Sequence, residues 1–165
     1  MPAALQPITV NASAPDPAPI LDRYEGRQFS ISYPQGWRIE TRPGEESGSS
    51  ATMLTPSADG VLVRISVSPR AASAQSLAAT RALAATSKPG YRDLGLGVVT
   101  VAGQPGVRWD YLVREGGIEL RRTEVVFTDA RGNGYAIVTQ APTASFARWR
   151  NALDDVRESI VPTAR

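Results

Sequence analysis

The chain has 165 residues, 42% hydrophobic and 21% charged, which implies one globular domain at about 150 residues per domain and excludes a collagen-like, wholly disordered or membrane-spanning chain. With no Cys and no His, it has no disulfides, none of the zinc and haem sites that need those ligands, and no Ser/His/Asp or Cys/His catalytic arrangement. The formal net charge is +2, and acids are interleaved with the arginines, as in Glu119-Leu120-Arg121-Arg122-Thr123-Glu124, so the basic stripe expected of a nucleic-acid binder is absent.

Residues 1–23 form a Pro/Ala-rich arm in which Pro2, Pro7, Pro15, Pro17 and Pro19 sit among small polar residues. That composition favours extended, solvated backbone and reads as a linker, or as an arm that orders along a partner. The stretch has neither the basic n-region nor the apolar run of a secretory signal, and no span is long enough for a transmembrane helix. With Met1 as the native start the default compartment is cytoplasmic; removal of a signal or anchor would make it extracytoplasmic.

The single domain is expected over residues 24–165. Phe29-Ser30-Ile31-Ser32-Tyr33 alternates with period two before the turn Pro34-Gln35-Gly36, and Trp37 opens a second strand. Strands are predicted over Ala51 to Thr55 and Val61 to Val67, with Val61, Val63, Ile65 and Val67 on one face and a turn at Ser57 to Gly60. Ser73 to Thr86 is an Ala-rich helix with Ser73 as its N-cap.

Long strands follow near Leu94 to Val101, Val107 to Arg114, Ile118 to Thr128 and Tyr135 to Gln140. Gly116-Gly117 supplies a two-residue hairpin turn, which sets Glu115 opposite Ile118, Arg114 opposite Glu119, Leu112 opposite Arg121, Asp110 opposite Thr123 and Trp109 opposite Glu124. One face of this hairpin then carries Val107, Trp109, Tyr111, Val113, Leu120 and Val126 with Arg122 and Glu124, and is expected to be the helix-covered core. The other carries Arg108, Asp110, Leu112, Arg114, Glu119 and Arg121, and is expected to lie largely open to solvent or to a partner. A last helix, capped by Thr143 or Ser145, repeats Phe146, Trp149, Leu153, Val156 and Ile160 at spacings of three and four and ends before Pro162. Strands, helix, longer strands and helix make an α+β domain on a mainly antiparallel sheet sandwiched by helices.

The run Phe29-Ser30-Ile31-Ser32-Tyr33-Pro34-Gln35-Gly36-Trp37 resembles the opening of Mog1/PsbP-like domains, a group that includes DcrB-type and LpqN-type proteins. Val101-Ala102-Gly103-Gln104-Pro105-Gly106, the long hairpin, the Asp129 to Ile137 stretch and the terminal amphipathic helix are similar to the second half of that family. The resemblance implies an α/β/α sandwich used for accessory or binding work. Relatives include a regulator of the nuclear-transport GTPase Ran, an extrinsic photosystem subunit, envelope lipoproteins and, in a neighbouring group, chaperones for secretion effectors. The chain departs from the envelope members in showing no visible signal or lipobox cysteine.

No phosphate-binding glycine loop, dinucleotide fingerprint or EF-hand loop occurs, and no cofactor or metal site is expected. Asp110 and Glu124, the nearest carboxylates on adjacent strands, fall on opposite faces and cannot share a proton. With one lysine, Lys88, few routes to a tuned acid, base or nucleophile remain. The expected function is therefore a non-catalytic accessory or protein-binding module of a larger assembly; the alternatives are a small-molecule or lipid-binding envelope protein and a secretion-effector chaperone. The candidate partner-binding face is Arg108, Asp110, Leu112, Arg114, Glu119 and Arg121, because arginine is enriched in binding hot spots. Arg122 and Glu124, two residues apart on the apolar face, are expected to form an ion pair there.

Overall fold

A computed structural model describes residues 21–163; the reading of residues 1–20 as an arm lies outside them. The elements are β1 (Leu21–Glu25), β2 (Phe29–Pro34), β3 (Arg38–Pro43), β4 (Ser50–Thr55), β5 (Leu62–Ser68), α1 (Ala74–Thr86), β6 (Arg92–Val101), β7 (Gln104–Glu115), β8 (Ile118–Thr128), β9 (Gly134–Pro142), a 3-10 turn (Thr143–Ser145), α2 (Phe146–Glu158) and β10 (Val161–Pro162). Seven strands form one sheet in the order β3-β4-β5-β9-β8-β7-β6, and β1, β2 and β10 form a second. Every pairing is antiparallel.

The large sheet is two-faced because its strands keep one alternation across the register. Arg64 lies beside Val138, Val138 beside Glu124, Glu124 beside Trp109 and Trp109 beside Leu96, a row that crosses five strands on the α1 face. Along the same face α1 covers Tyr111, Val113, Leu120, Val126 and Ala136 with Ala78 and Ala85. Alanine at those positions lets the helix sit close to the sheet, and Ser73 caps it by accepting the Ser76 N–H at 3.0 Å.

The opposite face holds the larger core. Val63, Ile65, Val67, Phe127 and Ile137 from the sheet meet Phe29 and Ile31 from β2 and Leu153, Val156 and Ile160 from the C-terminal segment. Phe127 and Tyr135 stack at 4.8 Å, and Trp37 meets Trp149 edge-on at 6.2 Å. Phe146 and Trp149 are thus packing residues, as their spacing predicts.

Four expectations are corrected. β1 takes in Leu21, Asp22 and Arg23, assigned above to the arm; the strand is charged and mostly exposed, so no apolar alternation marks it, and it is held by pairing with β2. The hairpin face opposite α1 is not open, because α2 and the small sheet close over much of it. α2 takes no side-chain cap from Ser145. It also stops at Glu158 rather than running to Ile160, since Ser159 turns the chain onto β2, where Val161 and Pro162 pair with Ser30 and Phe29.

Candidate functional site

The β7–β8 hairpin positions most of the residues named from the sequence. Gly116 and Gly117 take φ of 57° and 78°, the two left-handed positions of a tight turn, and every cross-strand pair predicted from that turn is present. Asp110 and Glu124 fall on opposite faces, and each has its own partners.

On the α1 face Glu124 is buried, and the ion pair expected with Arg122 does not form. Arg81 reaches down from α1 and binds Glu124 Oε1 through Nε and Nη2, both at 2.7 Å. The Tyr111 hydroxyl donates to Glu124 Oε2. Arg122 turns the other way, to Gln140 Oε1 and Glu115 Oε1, each at 2.6 Å. Residues two apart on a strand share a face but stand nearly 7 Å apart, and both find nearer partners. Burial, reinforced by the Glu124 charge, pushes the Tyr111 phenol well above its ordinary value, so it stays a neutral donor.

On the opposite face the six candidate partner-binding residues are dispersed. Asp110 is held by Arg108 Nε at 3.2 Å and by the Thr123 hydroxyl. Burial works to raise the Asp110 carboxyl, but the hydrogen bonds from Arg108 and Thr123 outweigh it, and the pKa lies below the ordinary range. Leu112 is buried. Arg121 lies beneath Phe146, its guanidinium 4.4 Å from the ring centroid, with Nε buried and unpartnered. Arg114 is exposed opposite the half-buried Glu119, as the register requires. Arg108 also lines a cleft of about 200 Å³ with Val99, Val101, Arg157 and Glu158.

A different surface stands open at the end of the sheet. β6 is an edge strand, paired on one side only, and its side chains Leu96 and Val98 are 72% and 84% exposed. α1 crosses β7 and β8 and leaves β6 uncovered. Between helix and edge runs a groove of about 490 Å³ lined by Ala78, Ala79, Ala82, Leu96, Val98 and Trp109. The Trp109 indole N–H is buried and has no hydrogen-bond partner. Apolar space therefore lies beside α1 rather than under it, where Tyr111 and Leu120 fill the core.

No family model and no curated protein sequence matches the chain; solved structures do. The cyanobacterial PsbP of Synechocystis, CyanoP, superposes with a TM-score of 0.66 at 15% identity, over 93% of this chain and 99% of that one. LpqN of Mycobacterium tuberculosis, involved in cell envelope biogenesis, gives 0.52 at 12% identity over 82% and 83%. PA94 of Pseudomonas aeruginosa, of unknown function, gives 0.53 at 16% over 88% and 99%. The chain has a Mog1/PsbP-like fold.

On this Mog1/PsbP-like scaffold four further residues matter that no local sequence pattern marks as functional: Leu96, Val98, Arg81 and Arg64. Leu96 and Val98 alternate with Gly95 and Gly97, a signal of an apolar row on a thin strand, but edge position is fixed only by the sheet order. Arg81 sits in an Ala-rich helix and Arg64 between the core residues Val63 and Ile65, and their placement beside Glu124 depends on long-range packing. Among the described residues no group of three or more His, Cys, Asp or Glu could hold a metal ion, and no helix is long and apolar enough to cross a membrane.

Proposed function

We propose that the domain works without catalysis, as an accessory module that binds an extended segment of another protein along the β6 edge. One observation carries the reading: a ten-residue edge strand whose outward apolar side chains, Leu96 and Val98, border an apolar groove. An open edge presents a row of unpaired N–H and C=O groups, and soluble proteins normally guard such edges with Lys, Pro or inward charge. β6 has a bulge at Leu94, but from Gly95 to Val101 it carries no Lys, Pro or charge. A docked strand would gain main-chain hydrogen bonds from β6 and set alternate apolar side chains into the groove beside Trp109, the usual division of affinity and specificity in strand addition.

One half-buried member of the face singled out in the sequence fits the same mode. Arg108 lies on the strand next to β6, on the side away from α1. It would meet the opposite side chains of the added strand, favouring a segment with apolar residues on one side and acidic or polar residues on the other. The absence of His and Cys and the single lysine support a role without catalysis. The fold likeness to CyanoP and LpqN is in keeping with accessory or envelope-associated work.

The test places a benzophenone photo-crosslinking side chain at Val98 and, as a control, at Ile118 on the hairpin tip, in the full chain in its native cells. The expected result is adducts from position 98 that map to one extended segment of one protein and vanish with Leu96→Asp. Equal labelling from both positions, or none from 98, would overturn the proposal. Recovery of the chain with a bound small apolar molecule would instead make the groove a ligand site.

A further inference from the structure

At the other end of the Arg64-to-Leu96 row, a second feature points to a ligand of different chemistry. Beside the C-terminal half of α1 a cleft of about 230 Å³ is lined by Arg64, Arg81, Lys88, Tyr111, Arg122 and Glu124. One water needs only about 10–15 Å³ of such space, so the cleft has room for a tetrahedral oxyanion and part of its hydration. Four cationic side chains line it, against Glu124 inside and Glu115 at its rim. The site therefore carries an excess of two positive charges.

The cations are not all used by the fold. Among the described residues the side chains of Arg64 and Lys88 make no hydrogen bond and no ion pair. Arg81 uses Nε and Nη2 on Glu124, and Arg122 uses Nε on Gln140 and Nη2 on Glu115. Each is thereby fixed in orientation; Arg81 keeps its Nη1 donors, and Arg122, which also reaches the Tyr111 hydroxyl, keeps part of its own. Held this way, the two guanidinium planes lose little freedom when they bind an anion, which is the condition under which arginine recognises phosphate well. Arg64 is exposed as a residue, yet partial desolvation of its guanidinium at the cleft wall, then the like charge of Arg81, weakens its hold on its proton. A fold that needed only to neutralise Glu124 would need only Arg81.

We propose that this cleft binds a phosphoryl dianion, as inorganic phosphate or a small phosphomonoester, through Arg64, Lys88 and the free donors of Arg81 and Arg122. Glu124 and Tyr111 act as positioning residues, since they hold Arg81 and do not themselves face an anion favourably. The site is independent of strand binding at β6, and the two readings can fail separately.

The test is calorimetric and thermal titration of the full chain at pH 8, where a phosphomonoester carries close to two charges, at constant ionic strength set with chloride. The probes are inorganic phosphate, glycerol phosphate, and phosphatidylcholine vesicles with and without phosphatidic acid. The expected result is saturable binding of both free phosphates, a melting temperature that rises with their concentration, and affinity at least about tenfold weaker in Arg64→Gln, the loss of one charge-assisted contact. The Arg64 side chain makes no internal hydrogen bond, so the variant should melt with the wild type in chloride. Lys88→Gln, on the exposed helix end, gives a second readout if it does not. No saturable response to phosphate over chloride, equal affinity in both variants and wild type, or a response to phosphatidic acid vesicles alone would overturn the site.

Discussion

Ser159 and Ser32 tie the end of α2 to the small sheet. The Ser159 hydroxyl accepts the Ser32 N–H at 2.9 Å and shares its proton between the Ser32 carbonyl at 3.1 Å and the Val156 carbonyl at 2.8 Å. Ser159→Ala leaves a part-buried N–H unpaired, so the expected cost is about 1–2 kcal/mol. In a chain of this length that is a fall of roughly 2–8 °C in melting temperature. Thermal melts of the variant and of Ser159→Thr, which retains the hydroxyl, check this; equal loss in both would mean that packing rather than the hydroxyl matters.

Acid should destabilise the domain through Asp110. Its pKa is lowered in the folded state by Arg108 and Thr123, so it adds stability that is fully present above the unfolded carboxyl value of about 3.9. That stability is lost as pH falls through the lower folded value. Asp129, held low by Asn133 and the Arg131 N–H against the effect of burial, acts in the same window. Urea midpoints measured from pH 6 down to pH 2 should fall below about pH 4, and Asp110→Asn should flatten that slope. An unchanged slope would refute the assignment.

The Arg81–Glu124 pair predicts an asymmetric mutational cycle. Arg81→Ala leaves a carboxylate that is 4% exposed with only the Tyr111 hydroxyl as partner. Breaking a buried pair costs about 3–5 kcal/mol; because the Arg81 side chain is 24% exposed and screened by solvent, about 2–3 kcal/mol is expected here. Glu124→Gln keeps an acceptor for Tyr111 and should cost less. The double variant should recover part of the Arg81→Ala loss, as measured by urea denaturation of all four proteins; strict additivity would show that the two groups do not interact.

Much of this fold is legible in the sequence because its rules are local. Gly116-Gly117 fixes the hairpin register, and that register alone predicts that Asp110 and Glu124 are separated by the sheet. The spacing of Phe146, Trp149, Leu153 and Val156 likewise marks the buried side of α2. What is not legible depends on tertiary placement. β1 has no apolar alternation to announce it, because it exists only as a partner for β2. The face bearing Arg108 and Leu112 looks open in sequence because its polar residues are interleaved with apolar ones, yet α2 brings Phe146 onto Arg121 and closes it. Glu124 demands a cation, and Arg122 is nearest in sequence. The residue that answers, Arg81, is 43 positions away.

The exposed edge gives a prediction independent of any partner. Leu96 and Val98 are mostly solvent-exposed, so Leu96→Lys and Val98→Lys should change stability by no more than about 0.5 kcal/mol. The same substitutions place charge on an unguarded edge and should raise solubility. Light scattering and urea denaturation of the paired variants check both parts. A loss of more than 2 kcal/mol would show that the residues are covered in solution.

Two glycines on adjacent strands should respond in opposite directions to the same substitution. A Cβ on Gly106 would stand 2.6 Å from the Val126 carbonyl oxygen and 3.3 Å from the Phe127 Cβ. Both contacts are on the paired strand β8, where Gly106 faces Phe127 in the register. Backbone cannot swing aside as a side-chain tip can, so Gly106→Ala must spread β7 from β8 beside the stacked Phe127–Tyr135 pair. The expected cost is about 1–3 kcal/mol. Gly97, on the free edge, has no atom within 4 Å of the same position. There alanine only removes conformational freedom from the unfolded chain, and a gain of about 0.5 kcal/mol is expected. Urea denaturation of the two variants decides the matter; equal and opposite signs to those given would mean that β6 is packed and the β7–β8 contact is loose.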